Sequence, residues 1–407
     1  MMRILIADKF QEAYLEELNS LGHEVELKPD LKAEDLPKEI AGYDVLIVRS
    51  TKVKADVIDA SDKLSLVIRA GAGVNTIDVE AAADKGVFVC NTPGKNSVAV
   101  AELAFGLMLS IDRKIADCTR DLKGKVWNKK KYSKADGILG KTLGIIGLGE
   151  IGIAFADRAK AFGMKVLAYD PISQQKQSPK IARRHEDRLF SFCTTVEELV
   201  KASDVVTVHV PSNPHTKGMV NEDFLKNMKP NSVLLNTSRG NIVNDKALIK
   251  AMDEKNIMAG LDVYNDECAT ATGTFETPLS MHPNVYGTHH IGASTEQAQN
   301  AIAGEVIEIL KSYEKGIVLH PVNMEMEPAV KHTMIMRVFD RVGVLAAALL
   351  LLKEQGINLQ QMEGRVFAGE NAQQIILHVS KCPDEATIEK IRGIDNIIQV
   401  DVKSSVE

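Results

Sequence analysis

Short runs of Val, Ile and Leu alternate along this chain with amphipathic stretches, beginning at its first residues. Runs at residues 3–7, 44–48, 66–68 and 87–89 predict strands, and apolar spacing at 11–21 and 76–85 predicts helices. Strands buried on both faces and separated by helices are the mark of a parallel sheet. A first α/β unit is therefore expected over residues 1–97. From residue 98 a longer helix is predicted, with Val98, Ala101, Phe105 and Met108 on one face and Val100, Leu103 and Leu107 on another. Apolar residues on more than one face suit a buried helix. A second series of strands follows at 142–146, 165–168, 205–209, 232–236 and 258–262. The helix predicted at 295–314 could return to the first unit and make it discontinuous. From residue 331 the order is strand, helix, strand, strand, helix, strand, the ferredoxin-like plan. The expected fold class is α/β, with two Rossmann-like or flavodoxin-like lobes around a cleft and a small C-terminal βαββαβ unit. The expected domains are 1–97 with 295–325, 98–294, and 331–407.

Composition narrows the classes of function. The 407 residues allow two or three domains. Apolar residues at 45% and charged residues at 26% are ordinary for a globular protein, and they argue against disorder. A net charge of -6 and the lack of a basic helix-turn-helix pattern predict neither a nucleic-acid nor a membrane partner. The longest apolar run, residues 342–352, falls short of a membrane span, and no signal-peptide pattern opens the chain. The five cysteines are scattered without a C-x-x-C pair, which argues against a disulfide framework or zinc knuckle and predicts no metal. A reduced cytoplasmic protein is the expectation.

The sharpest local signal is G-x-G-x-x-G at Gly147, Gly149 and Gly152, directly after a strand and opening a helix. The first glycine permits the tight turn, the second lets a pyrophosphate approach the backbone, and the third allows helix to pack on strand. Glu150 and Ile151 begin that helix, whose N-terminus presents N–H groups to phosphate. The next strand ends at Asp170, where a carboxylate can accept ribose hydroxyls and repel a 2′-phosphate. NAD is the expected cofactor.

Arg239, Glu267 and His290 each follow a strand pattern, so all three could converge at the carboxyl ends of one sheet. A histidine suits removal of a hydroxyl proton, a carboxylate beside it favours the imidazolium, and an arginine fork holds a carboxylate. Taken singly, each also reads as a surface or interior residue with no chemistry. Together with the glycine motif and Asp170, the segments His209-Val210-Pro211 with Thr216, Asn236-Thr237-Ser238-Arg239-Gly240, Leu261-Asp262-Val263 with Glu267, and residues 290–295 resemble the D-isomer-specific 2-hydroxyacid dehydrogenases. The resemblance covers residues 1–325. It implies a two-lobed fold hinged near Asn96-Ser97 and residues 292–295, with His290 as acid/base, Glu267 as its partner and Arg239 as substrate anchor. It also implies cofactor contacts at His209, Val210, Pro211, Thr216, Thr237, Ser238, Asp262 and Gly292. Cys268 and His289 depart from the family, which usually has proline at both places.

Within the family the chain is most similar to the phosphoglycerate dehydrogenase branch. Arg49, Ser50, Lys52 and Arg69 are the residues for a phosphorylated substrate, and Ala72, Gly73 and Val74 offer backbone N–H groups for its carboxylate. The Arg-Ser-Thr-Lys run is one residue shorter than the branch's pattern. Basic residues that merely cap strand ends, a reductase of glyoxylate or hydroxypyruvate, another phosphorylated or sulfonated acid, and a non-catalytic NAD-sensing corepressor stay open as alternatives. The C-terminal unit resembles an ACT domain, which implies an amino-acid effector such as serine near Asp340 and Asn358. Val338 and Val342 depart from that pattern, and a dimerisation module without ligand is the other reading. The resemblance implies a homodimer or homotetramer.

Overall fold

A computed structural model describes residues 1–171, 190–268, 272–324 and 332–404, and the chain divides into two units, Met1–Asn323 and Met324–Glu407. In the first unit the apolar runs become two parallel sheets. Strands β1 (Arg3–Ile6), β2 (Glu24–Leu27), β3 (Val45–Val48), β4 (Leu66–Arg69) and β5 (Phe88–Asn91) pair in the order β2-β1-β3-β4-β5. Alternate side chains enter separate cores. Ile4, Ile6, Val45, Ile47, Leu66 and Ile68 pack on one face, and Leu5, Leu46, Val48 and Val67 on the other. The edge strand β2 is absent from the sequence expectation because its Glu-Val-Glu-Leu carries no buried residue.

The helix Glu296–Tyr313 lies far along the chain from this sheet yet completes it. Its Ile302, Val306, Ile307, Ile309 and Leu310 join Ile4, Ile6, Ile47 and Ile68 in one core. Each such burial contributes about 1.5–3 kcal/mol. The following segment covers the free edge of β5: Pro321 bridges Cys90, Val322 N–H donates to Val89 O at 2.8 Å, and the Asn323 amide brackets Val87 and Val89. An edge closed in this way offers no template for another strand.

The second sheet holds β6 (Thr142–Ile146), β7 (Lys165–Tyr169), β8 (Ser191–Phe192), β9 (Val205–Val208), β10 (Val233–Asn236), β11 (Met258–Leu261) and β12 (Val285–Gly287). All are parallel, in the order β12-β11-β10-β9-β6-β7-β8. The strand order reverses between β6 and β9, the doubly wound arrangement that opens a ligand crevice at the strands' carboxyl ends. In the first sheet the same reversal falls between β1 and β3. Strands β8 and β12, two and three residues long, are too short to leave a periodic signature. The helix Ser97–Arg113 buries Ala101, Ala104, Phe105 and Met108 among Leu143, Ile145 and Leu235 of the second sheet.

The second unit is an antiparallel sheet of β13 (His332–Phe339), β14 (Leu359–Val366), β15 (Ala372–Val379) and β16 (Ile397–Ser404), in the order β14-β15-β13-β16. Helices Val344–Glu354 and Glu385–Arg392 pack on it, so the ferredoxin-like order is realised. Among the described residues no helix is long and apolar enough to cross a membrane, and no group of three or more His, Cys, Asp or Glu could hold a metal ion.

Candidate active site

The glycine loop joins β6 to the helix Glu150–Ala161. Gly147 has φ +96, and a side chain there would stand 2.7 Å from the His209 carbonyl oxygen, so only glycine fits between the ends of β6 and β9. A Cβ on Gly152 would collide with the Gly147 carbonyl. At Gly149, by contrast, an added Cβ meets nothing within 4 Å. A crowded turn, an open middle position and a helix N-terminus form a cradle into which a pyrophosphate fits. Asp170 follows β7 and accepts the Leu148 N–H at 2.8 Å, which ties the carboxylate expected to meet the ribose to the loop itself.

Arg239, Glu267 and His290 do converge. Gly240 lies so close to the backbone of Tyr264 and Asn265 that a Cβ would overlap it, which draws the loops after β10 and β11 together. Glu267 accepts the Tyr264 N–H at 2.9 Å with one oxygen and meets His290 Nδ1 at 2.7 Å with the other. Burial alone would raise the Glu267 carboxyl. The His290 hydrogen bond, the Tyr264 N–H and the nearby Arg239 charge outweigh it and hold the carboxyl below its ordinary value. His290 sits at φ +54, in the left-handed region. Asp262 holds it there. Its buried carboxylate accepts the Thr288 hydroxyl at 2.6 Å and the N–H groups of Ile291 and Gly292 at 2.9 Å each.

The family model for the D-isomer specific 2-hydroxyacid dehydrogenase NAD binding domain matches residues 105–292. The D-3-phosphoglycerate dehydrogenase of Methanocaldococcus jannaschii is 38% identical over 92% of this chain and 69% of its own length. The chain belongs to the D-isomer-specific 2-hydroxyacid dehydrogenases. NAD is its cofactor. The hydroxypyruvate reductase of Thermotoga maritima is 41% identical over 68% of this chain and 87% of that protein. The NAD+-bound 3-phosphoglycerate dehydrogenase structure from Entamoeba histolytica superposes with a TM-score of 0.64 at 29% identity, covering 80% of this chain and 99% of that one. The chain spans 55% to 60% of several longer phosphoglycerate dehydrogenases that it matches.

A second concentration of charge gathers beside this dehydrogenase's first sheet. Arg239 and Arg49 both lie near enough to Arg69 to repel it: burial first, then Arg239 and Arg49, push the Arg69 guanidinium down to about 10. Arg239, also lowered by burial, is partly offset by Glu267. Its guanidinium lies over Gly73, where a Cβ would strike it, so the loops after β4 and β10 meet across the two sheets. Ala72 is fixed by the Asn91 amide at 2.6 Å, and Val74 O receives the Ile77 N–H. At the β1/β3 reversal a cavity of about 250 Å³ is lined by Lys9, Gln11, Arg49, Ala70 and Gln299 among others. Lys9 and Gln299 escaped the sequence analysis because they have no motif and come from opposite ends of the first unit.

Other expected contacts fall differently. The His209 ring turns inward, 5.7 Å from the Phe155 ring and 2.9 Å from Thr207 Oγ1, and burial lowers its pKa to about 4. What His209 and Val210 give the glycine loop is backbone and methyl contact. The Thr216 hydroxyl donates to Pro211 O at 2.6 Å, and the Ser238 hydroxyl donates to Val208 O at 2.7 Å. The Thr237 hydroxyl is buried without a partner. Ser50 and Lys52 are exposed, and Asp340 and Asn358 belong to the C-terminal unit.

Proposed function

We propose that the chain oxidises D-3-phosphoglycerate to 3-phosphohydroxypyruvate, the entry reaction of serine biosynthesis. The observation that carries this reading is the group Arg49, Arg69 and Arg239, in which the charges of Arg239 and Arg49 weigh on Arg69 and are relieved by a substrate bearing both a carboxylate and a phosphate. Arg239 holds the carboxylate and polarises the C2 oxygen, while the backbone at Ala72, Gly73 and Val74 takes the other carboxylate oxygen. His290 removes the hydroxyl proton as the C2 carbonyl forms, and Glu267 stabilises the imidazolium. NAD, when bound along Gly147, Gly149, Gly152 and Asp170, supplies the hydride acceptor. The lobe built on the second sheet holds the cofactor, and the lobe built on the first holds the substrate.

The test is NADH formation with D-3-phosphoglycerate, scavenging the product, beside NADH consumption with hydroxypyruvate and glyoxylate. A phosphorylated substrate preferred by at least about tenfold in kcat/KM supports the reading. Preference for hydroxypyruvate, the substrate in the name of the Thermotoga relative, overturns it and keeps the family.

We further propose a homodimer or homotetramer whose C-terminal unit is an ACT domain binding serine beside Asp340 and Asn358. Support for assembly comes from apolar side chains left exposed after the helix Ser97–Arg113, above all Trp127 at 81% and Leu139 at 83%. The Asp340 carboxylate faces Gln373 at 3.3 Å, at the turn before Gly343. Sedimentation equilibrium and calorimetry with L-serine read both claims. A monomer overturns the first, and no heat of binding at millimolar serine overturns the second.

A further inference from the structure

The backbone N–H groups of Arg49, Ser50 and Thr51 all donate to one atom, Asp8 Oδ2, at 2.7, 3.0 and 3.0 Å. Successive N–H groups converging on a point make an anion-binding concavity, the device by which many loops hold phosphate. Here the chain's own carboxylate fills it. We propose that Asp8 is a positioning residue that sets the enzyme's selectivity for a phosphorylated substrate, an inference that rests on the reading of the three arginines given above. By occupying the turn, Asp8 fixes the direction in which the Arg49 side chain leaves β3. It also leaves a substrate phosphate to be held by side chains, Arg49 and Lys9, rather than by the backbone.

Two further observations support this role. The Thr51 hydroxyl donates to Ala7 O at 3.0 Å, so the ends of β1 and β3 are fastened at a second point beside the first. Asp8 also acts on Arg69, whose pKa it raises against the pull of burial and the other two arginines, so its charge reaches the cationic cluster. Lys9, the next residue, and Arg49 both line the cavity at the β1/β3 reversal.

Positioning and simple charge balance predict opposite signs. Removing a negative charge beside a phosphate strengthens phosphate binding if charge is all that Asp8 contributes. Loosening the turn weakens binding, because hydrogen bonds to an ionised acceptor are roughly twice as strong as those to a neutral one. The measurement is the ratio of kcat/KM for 3-phosphohydroxypyruvate to that for hydroxypyruvate, followed as NADH consumption by the full chain. In Asp8→Asn the ratio is expected to fall about tenfold, through KM for the phosphorylated acid. A ratio that holds or rises overturns the proposal. A wild-type ratio near one overturns the substrate reading itself, and is distinguishable because it appears without any mutation. Should Asp8→Asn fail to fold, Thr51→Val removes only the second fastening. There a fall of about threefold is expected, and a ratio that holds overturns the proposal.

Discussion

His290→Ala should lower kcat by about 10³-fold and leave KM for either substrate within about threefold. Glu267 already meets Nδ1 of the imidazole at 2.7 Å, so Nε2 is the nitrogen left for a substrate hydroxyl. Removing the imidazole takes away proton transfer, whereas the arginines and the glycine cradle proposed to bind the ground state stay where they are. Glu267→Gln should cost on the order of 10²-fold, because a neutral amide neither fixes the tautomer nor stabilises the imidazolium. Its pH behaviour follows from the depressed carboxyl. The ionised Glu267 carboxylate contributes fully above its ordinary value of 4.5, and its contribution is lost as pH falls through the lower value in the folded protein. Steady-state rates between pH 4 and 9 with both variants check this, and a His290→Ala enzyme within tenfold of wild type removes His290 from the chemistry.

The second large effect is expected at Arg239. Arg239→Lys should lower kcat/KM by about 10²-fold or more, although it keeps the charge. The Nη1 of Arg239 donates to Ser238 O at 2.6 Å, which pins the fork, while Nη2 lies against Gly73. A lysine ammonium is a point charge and cannot meet both constraints. The comparison of kcat/KM for wild type, Arg239→Lys and Arg239→Met decides the matter: a lysine enzyme with more than about a third of the wild-type value shows that charge alone suffices.

What could be read in the sequence was whatever chemistry is local. Gly147, Gly149 and Gly152 stand five residues apart from first to last and act through the backbone, so their spacing already contains the turn. Arg239, Glu267 and His290 are farther apart, yet each closes a strand of the same parallel sheet, and parallel strands align their carboxyl ends. Asp8, Lys9 and Gln299 carry no such pattern. Asp8 acts by facing a loop that lies 42 residues on, at Ser50, and Gln299 reaches the crevice from a helix that returns to the first sheet only in three dimensions. The inward turn of His209 was likewise hidden, because it depends on Phe155 packing beneath it.

The helix Glu296–Tyr313 has a consequence for biosynthesis. Five of its buried side chains complete the core over Ile4, Ile6, Ile47 and Ile68, and none of them exists when β5 leaves the ribosome. About 200 further residues must be made first, which takes on the order of 10–40 s at typical elongation rates. During that time the N-terminal strands present an apolar face that only chaperones or transient contacts can shield. The cofactor-binding lobe, continuous in sequence, can fold in the meantime. The N-terminal quarter of the nascent chain is thus the segment whose aggregation should respond most to the speed of translation.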